Sequence, residues 1–381
     1  MLYLLDLTAA FDTVDHAILI RRLETTFGIG TTLNWLSSYL EGRTQSVHLN
    51  GQSTDPRRVV FGVPQGSVLG PLLFTLYTAD IGKVISKYGL SHHIYADDNQ
   101  LYGCCLSSDS AALRAVMVRC IASVGEWMES NRLMLNPSKS EVIGFTPPRR
   151  IRLIDRSSFV LPNGVVNVSS SVPYLHAFFD EGTSMSYHVN CLVRSCFYHL
   201  RRIKFIRRSL TKTATKMLVN SFIISRVDYC NSILAGIPKY QISRVQSILN
   251  VEARVIYGQT RFDHVTPTMR DRLHWLRVPE RIQFKRCLLV YKAPAYITEY
   301  CTSVPSGRRL HSSLQQRLRV PRPSKTVMLG ERSFSVGGPS LWINLPDTIK
   351  EAETVELFKK NSRHLCSVCL ITYANDIFLT L

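Results

Sequence analysis

Residues 1–16, MLYLLDLTAAFDTVDH, decide how the rest of the chain is read. They set an acid, Asp6, inside the apolar run of residues 1–7, which has the composition of a buried strand. A carboxylate there costs several kcal/mol unless it is paired or coordinates a cation. Its best partners are Asp97 and Asp98, at the turn of HHIYADDNQLYG (92–103), where residues 94–96 and 100–102 read as two short strands. An Asp-Asp pair alone is ordinary turn chemistry. Three carboxylates held at strand ends, however, suit two hard cations of the Mg2+ type, which take oxygen ligands and keep coordination positions for phosphate. Two such ions serve in-line phosphoryl transfer.

Working outward, residues 15–27 read as a helix stopped by Gly28, and residues 31–40 as a second one. Residues 45–49 and 57–61 read as a hairpin around Asn50-Gly51, a type I′ turn pair. GVPQGSVLGPLLFTLY (62–77) is a glycine-bracketed loop feeding an apolar helix. Leu113, Val116, Cys120, Val124 and Trp127 recur at helical spacing and mark one long amphipathic helix. Residues 133–145 read as a strand region broken by Asn136-Pro137, and PPRR (147–150) as a linker. From about 186 to 293 the pattern is helical and basic.

Charge separates the two halves. Residues 1–150 hold 13 Lys and Arg against 13 Asp and Glu, whereas residues 191–300 hold 20 against 6 within a net charge of +18. A polyphosphate partner is the natural inference, because Lys and Arg displace condensed counterions from nucleic acid; a solvated basic face is the plain alternative. No apolar stretch reaches the roughly 18–20 residues of a membrane span, so no membrane role is expected. Asp6 and the lack of a basic leader also argue against a signal peptide. Ten cysteines at irregular spacings read as reduced thiols. Cys366 and Cys369, beside His364, have zinc-ligand spacing, but no second cluster follows, so no zinc site is expected.

The motifs in order are more specific than any one of them. LDLTAAFD (5–12), GVPQGSVLGPLLFTLY (62–77), YADD (95–98) and LMLNPSKSE (133–141) together resemble the reverse transcriptase of non-LTR retrotransposons, of the Jockey-like LINE class. VDYCNSILAGIP (227–238), residues 263–285 and RSFSVGGPSLWINLP (332–346) extend the resemblance over most of the chain.

The resemblance implies an α+β fold: a right-hand polymerase palm, an antiparallel sheet packed on helices, lacking most of the fingers and followed by a mainly helical thumb. It divides the chain into a palm (1–150), a hairpin or primer-grip region (151–185), a basic helical thumb (186–300) and a poorly patterned C-terminal extension (301–381). It makes Asp6, the backbone carbonyl of Leu7, Asp97 and Asp98 the ligands of two Mg2+ ions, with Mn2+ as the alternative. Lys139 would protonate the departing pyrophosphate. Phe11 would be a steric gate that leaves no room for a 2′-hydroxyl, Gln65 and Gly66 would line the nucleotide and template pocket, and Tyr95 would lie against the primer end. The implied activity is RNA-directed DNA polymerisation, with an RNA template, a DNA primer and dNTPs as partners, in the nucleus. The alternative is a catalytically inactive retrotransposon-derived fragment that binds nucleic acid through its basic thumb. Family members place fingers before the first motif, where this chain begins, so it is expected to be N-terminally truncated, with an unpaired sheet edge beside Asp6. Where relatives carry Tyr-Leu-Gly-Val, this chain has Tyr174-Leu175-His176-Ala177, and where they carry Thr after YADD it has Asn99.

Overall fold

The computed structural model describes residues 1–301 apart from 154, 162, 163 and 294, together with 318–321, 330 and 332–362. It is a mixed helix-and-sheet protein of two compact units, residues 1–176 with 180–182, and 177–179 with 183 onward.

In the first unit, β1 (Leu2–Leu5) leads into α1 (His16–Thr25). Asp15 caps that helix, its Oδ1 accepting from the Ile18 N–H at 3.0 Å. α2 (Leu33–Leu40) follows. The expected hairpin forms as two short ladders, β2 (Thr44–Gln45) on β5 (Arg57–Arg58) and β3 (His48–Leu49) on β4 (Gln52–Ser53). At its tip Asn50 and Gly51 have φ of +49° and +80°, as the type I′ reading requires. Next come α3 (Leu69–Thr78), α4 (Ile81–Ser86), the pair β6 (Ser91–Tyr95) and β7 (Asp98–Tyr102), α5 (Ser110–Ser130) and β8 (Glu141–Ile143). β9 (Phe159–Leu161), β10 (Gly164–Val166) and β11 (Ser171–Tyr174) complete it, and β12 (Ala177–Asp180) is divided between the units.

The main sheet is antiparallel throughout, in the order β6-β7-β1-β8. β1 is therefore central. The unpaired edge expected beside Asp6 is not found: β7 occupies one side of β1 and β8 the other, because Leu2, Tyr3 and Leu4 pair with Ile143, Val142 and Glu141. A central position also explains why Tyr3, Leu4 and Leu5 are buried consecutively instead of alternately. Tyr3 and Leu5 join Leu19 and Leu23 of α1, Phe74 and Tyr77 of α3, and Met117, Cys120, Ile121, Val124 and Met128 of α5 in one core. Each such side chain contributes about 1.5–3 kcal/mol on burial. The expected linker at 147–150 runs instead into a short 3-10 stretch, Pro148–Leu153, inside this unit.

The second unit is helical. α6 (Ser186–Ile206), α7 (Lys212–Val219), α8 (Ser225–Asp228), α9 (Lys239–Tyr257) and α10 (Val278–Lys292) enclose a core of Val189, Leu192, Cys196, Leu200, Val219, Ile223, Val245, Ile248 and Leu249. α11 (Ala295–Thr298) follows. The region expected to be poorly patterned contains α12 (Phe334–Ile343) and α13 (Asp347–Lys350), and Trp342, Ile349 and Phe358 pack there with Cys287 and Val290 of α10. Glycines and Pro339 inside α12 hide its periodicity from the sequence. The His364, Cys366 and Cys369 cluster lies outside the described residues. No described helix is long and apolar enough to cross a membrane.

Candidate active site

The β1–β7 register places the first carboxylate against the other two. Leu2 pairs with Tyr102 and Leu5 with Asn99, so partner numbers sum to 104, and the next step sets Asp6 opposite Asp98. Asp97 lies in the β6–β7 turn, whose tightness puts Ala96 at φ +53° and pairs Tyr95 directly with Asp98. Asn99 braces that turn: it is buried, and its Nδ2 donates to the Asp97 carbonyl at 3.0 Å.

The backbone on the other side of Asp6 is held by residues 134–140. Thr8 N–H donates to Met134 O and Asn136 N–H to Asp6 O, each at 2.9 Å, closing a bridge between Leu7 and Leu135. Neither bond uses the Leu7 carbonyl. Asp6 N–H donates to Ser140 Oγ at 3.2 Å, and that hydroxyl donates to Asn136 O at 2.9 Å. The same turn carries Lys139, whose N–H donates to Asn136 O at 3.3 Å.

Electrostatics follow the same grouping. Burial pushes the Asp6 carboxyl above its ordinary value, the Lys139 ammonium pulls it back, and Asp97 pushes it up again. The Asp98 carboxyl is raised by burial, then by Asp97 and Asp6, with His176 opposing. Asp6 Oδ1 is buried with no hydrogen-bond partner among the described residues, and an unmet acceptor of that kind costs about 1–3 kcal/mol. Carboxyl oxygens that repel one another, one of them orphaned, are the donor chemistry a hard divalent cation takes. Among the described residues no three His, Cys, Asp or Glu side chains form a ready-made metal-holding group. The fit is thus one of donor type and position, not of finished coordination.

Phe11, Gln65 and Gly66 belong to a neighbouring pair of loops. Gly62 N–H donates to Val14 O and Val63 N–H to Phe11 O, both at 2.8 Å. Gly62 has φ +88°, and a Cβ there would meet the Asp12 backbone at 2.9 Å, so only glycine allows this approach. Phe11 stacks on Phe74 with centroids 4.8 Å apart and is only partly buried. Gln65 is exposed, and its amide donates to both Asp12 oxygens at 3.2 Å. Gly66 has φ +78° with open space where a Cβ would stand. Ser67 Oγ donates to Pro64 O at 2.7 Å and accepts from Gly70 N–H at 2.9 Å, fixing the entry to α3. Tyr95 is 59% exposed at the end of β6.

The structure thus groups Asp6, Asp97, Asp98 and Lys139, keeps Tyr95 beside them in the turn, and places Phe11, Gln65 and Gly66 on the adjoining loops. Ser140, Asn136 and Asp12 were missed as supporting residues. Ser140 and Asn136 flank Lys139 in LMLNPSKSE, and Asp12 follows Phe11, so only their nearness to the motifs could have signalled them.

Residues 1–175 match the family described as reverse transcriptase (RNA-dependent DNA polymerase). Among curated proteins, the probable RNA-directed DNA polymerase from transposon BS of Drosophila melanogaster is 25% identical over 349 residues, covering 88% of this chain and 36% of that protein. The corresponding protein from the X-element of the same organism is 30% identical over 290 residues, covering 70% of this chain and 29% of the relative. The RNA-directed DNA polymerase from mobile element jockey of Drosophila funebris is 25% identical over 215 residues, 55% of this chain and 22% of that one. The chain spans roughly a third or less of these relatives. A Candida albicans telomerase solved with a fragment of telomeric RNA aligns over 78% of this chain and 50% of its own at 14% identity, with a TM-score of 0.31, too slight a likeness to bear on the fold.

Proposed function

From the premise that residues 1–175 belong to the reverse transcriptase family, as the domain carried by the RNA-directed DNA polymerases of non-LTR retrotransposons, we propose that this chain adds deoxynucleotides to the 3′-hydroxyl of a DNA primer on an RNA template. The observation that carries the proposal is the β1–β7 register, which brings Asp6 to Asp98 at the turn that holds Asp97.

In this reading the first unit contains the palm (1–150) and the second unit contains the helical thumb (186–300). Asp6, Asp97 and Asp98, with the Leu7 carbonyl, would hold Mg2+ or Mn2+. Such ions supply activation of the attacking hydroxyl and neutralisation of charge on the departing pyrophosphate. Lys139, already an electrostatic neighbour of Asp6, delivers a proton to that pyrophosphate. Phe11, partly exposed above Phe74, excludes a 2′-hydroxyl sterically. Gly66 leaves its space open for a nucleotide or template base, and Gln65 lines the same loop. Tyr95 contacts the primer end.

A second reading is favoured by the charge distribution: 20 basic against 6 acidic residues over 191–300 suit nucleic-acid binding even without catalysis. Primer extension separates the two. The purified chain, given an RNA template, a DNA primer, dNTPs and Mg2+, should extend the primer, and an Asp97→Asn/Asp98→Asn variant should not. Incorporation no greater than that of the variant would leave only the binding reading.

A further inference from the structure

Residues 186–227 contain nine Lys and Arg and no Asp or Glu. On α6, Arg194, Tyr198, Arg201, Arg202 and Phe205 recur at spacings of three and four, which puts them on one face. All five are exposed, Tyr198 by 53% and Phe205 by 89%. Helix geometry sets those two rings roughly 10 Å apart along the axis.

The Tyr198 ring is held in place, whereas Phe205 projects into solvent. Arg202 Nη1 donates to Tyr198 Oη at 2.7 Å, and its guanidinium carbon lies 5.6 Å from the Tyr198 ring centroid. His199 stands edge-on to Tyr198 at 5.3 Å and stacks on Phe222 with centroids 5.4 Å apart and planes 19° from parallel. Phe222 comes from a π-helical turn, Asn220–Ile224, set between α7 and α8, a local widening of the kind found at functional sites. Arg226 donates to its carbonyl. Burial, then Arg226 and Arg202, hold the His199 imidazole below its ordinary value, so it remains a neutral flat ring at neutral pH.

We propose that this face binds single-stranded nucleic acid, stacking unpaired bases on Tyr198, Phe205 and the His199–Phe222 pair while Arg194, Arg201 and Arg202 meet the phosphates. Every base has a π-face, so such a platform accepts any sequence, and the absence of carboxylates makes it complementary to a polyanion. Bases inside a duplex are already stacked on each other and cannot use the rings. The proposal goes beyond the polymerase reading and stands or falls independently of it.

The test is fluorescence anisotropy with the full chain and labelled uridine and thymidine homopolymers, a duplex of equal length, and polyglutamate as competitor. Tyr198→Leu/Phe205→Leu should weaken single-strand binding about tenfold or more while leaving duplex binding and the salt slope unchanged. Arg201→Gln/Arg202→Gln should lower the salt slope. The ratio of uridine to thymidine affinity then identifies RNA or DNA as the preferred strand. Phe205→Leu alone, at a position almost wholly in solvent, repeats the test if the double variant misfolds. Wild-type single-strand affinity in the folded aromatic variants, an equal loss on duplex, or displacement by polyglutamate as efficient as by single strands would overturn the proposal.

Discussion

Leu5 pairs with Asn99, and one further step of the same antiparallel register sets Asp6 opposite Asp98. Like charges directly opposed across strands destabilise a sheet, and here each carboxyl is raised by burial and by neighbouring acid. A site that binds cations keeps such repulsion in its metal-free state. Asp98→Asn should therefore raise the stability of the metal-free protein by a few tenths to about 1 kcal/mol while abolishing nucleotide incorporation. Urea unfolding in EDTA, beside primer extension in Mg2+, measures both.

Phe11 combines packing on Phe74 with an exposed edge. Phe11→Val removes part of that ring contact and should cost about 1–2 kcal/mol of stability. It should also raise ribonucleotide incorporation relative to deoxynucleotide by about one to two orders of magnitude. Competing single-nucleotide incorporation reads the ratio directly; an unchanged ratio removes Phe11 from the gate role.

Arg22 ties three helices of the first unit together. It donates to Tyr77 O and, at 2.7 Å, to Asn131 Oδ1, pairs with Asp80 at 3.4 Å, and lies 5.2 Å from the Trp127 ring centroid. Arg22 and Asp80 are only half-buried and Asp80 also pairs with Lys83, so removing Arg22 costs less than breaking a fully buried ion pair, about 1–3 kcal/mol. Arg22→Ala should show a loss of that order in chemical denaturation, and Arg22→Lys should recover little of it, because an ammonium cannot reproduce the planar fork.

In the second unit Glu252 is fully buried on α9, and neither carboxyl oxygen has a partner among the described residues. Burial pushes it up to about 8, with Arg281 opposing and Asp228 adding to the rise. The folded state therefore holds a proton that the unfolded chain, near 4.5, gives up earlier. Stability from this group is fully present below about pH 4.5 and is lost as pH rises toward 8. Unfolding free energy should fall by about 5 kcal/mol across that window, and Glu252→Gln should flatten the dependence. Denaturation midpoints followed by circular dichroism at several pH values check it.

Much of the site was legible because its motifs are local. The apolar run with Asp6, the Asn50-Gly51 turn, the spacing of α5 and the YADD hairpin each state their structure within a few residues. What the sequence hid was long-range. That β8 covers the second edge of β1 depends on residues 2–4 meeting 141–143, which no short pattern encodes. The bracing of Asp6 by Ser140 is equally remote, and α12 was obscured by glycine and proline that its packing against α10 overrides. The departure at His176 has a physical reading too: Leu175 and His176 both adopt left-handed backbone, with φ of +44° and +63°, where glycine costs least.

The central claim is that Asp6, Asp97 and Asp98 form one divalent-cation site, and direct Mn2+ binding to the full chain, followed by electron paramagnetic resonance, tests it without requiring turnover. Asp6→Asn, Asp97→Asn and Asp98→Asn should each weaken binding by about tenfold or more, while Glu126→Gln, at an exposed position on α5, should leave it unchanged. Mn2+ affinity in Asp6→Asn and Asp98→Asn equal to that of the unaltered chain would contradict the account.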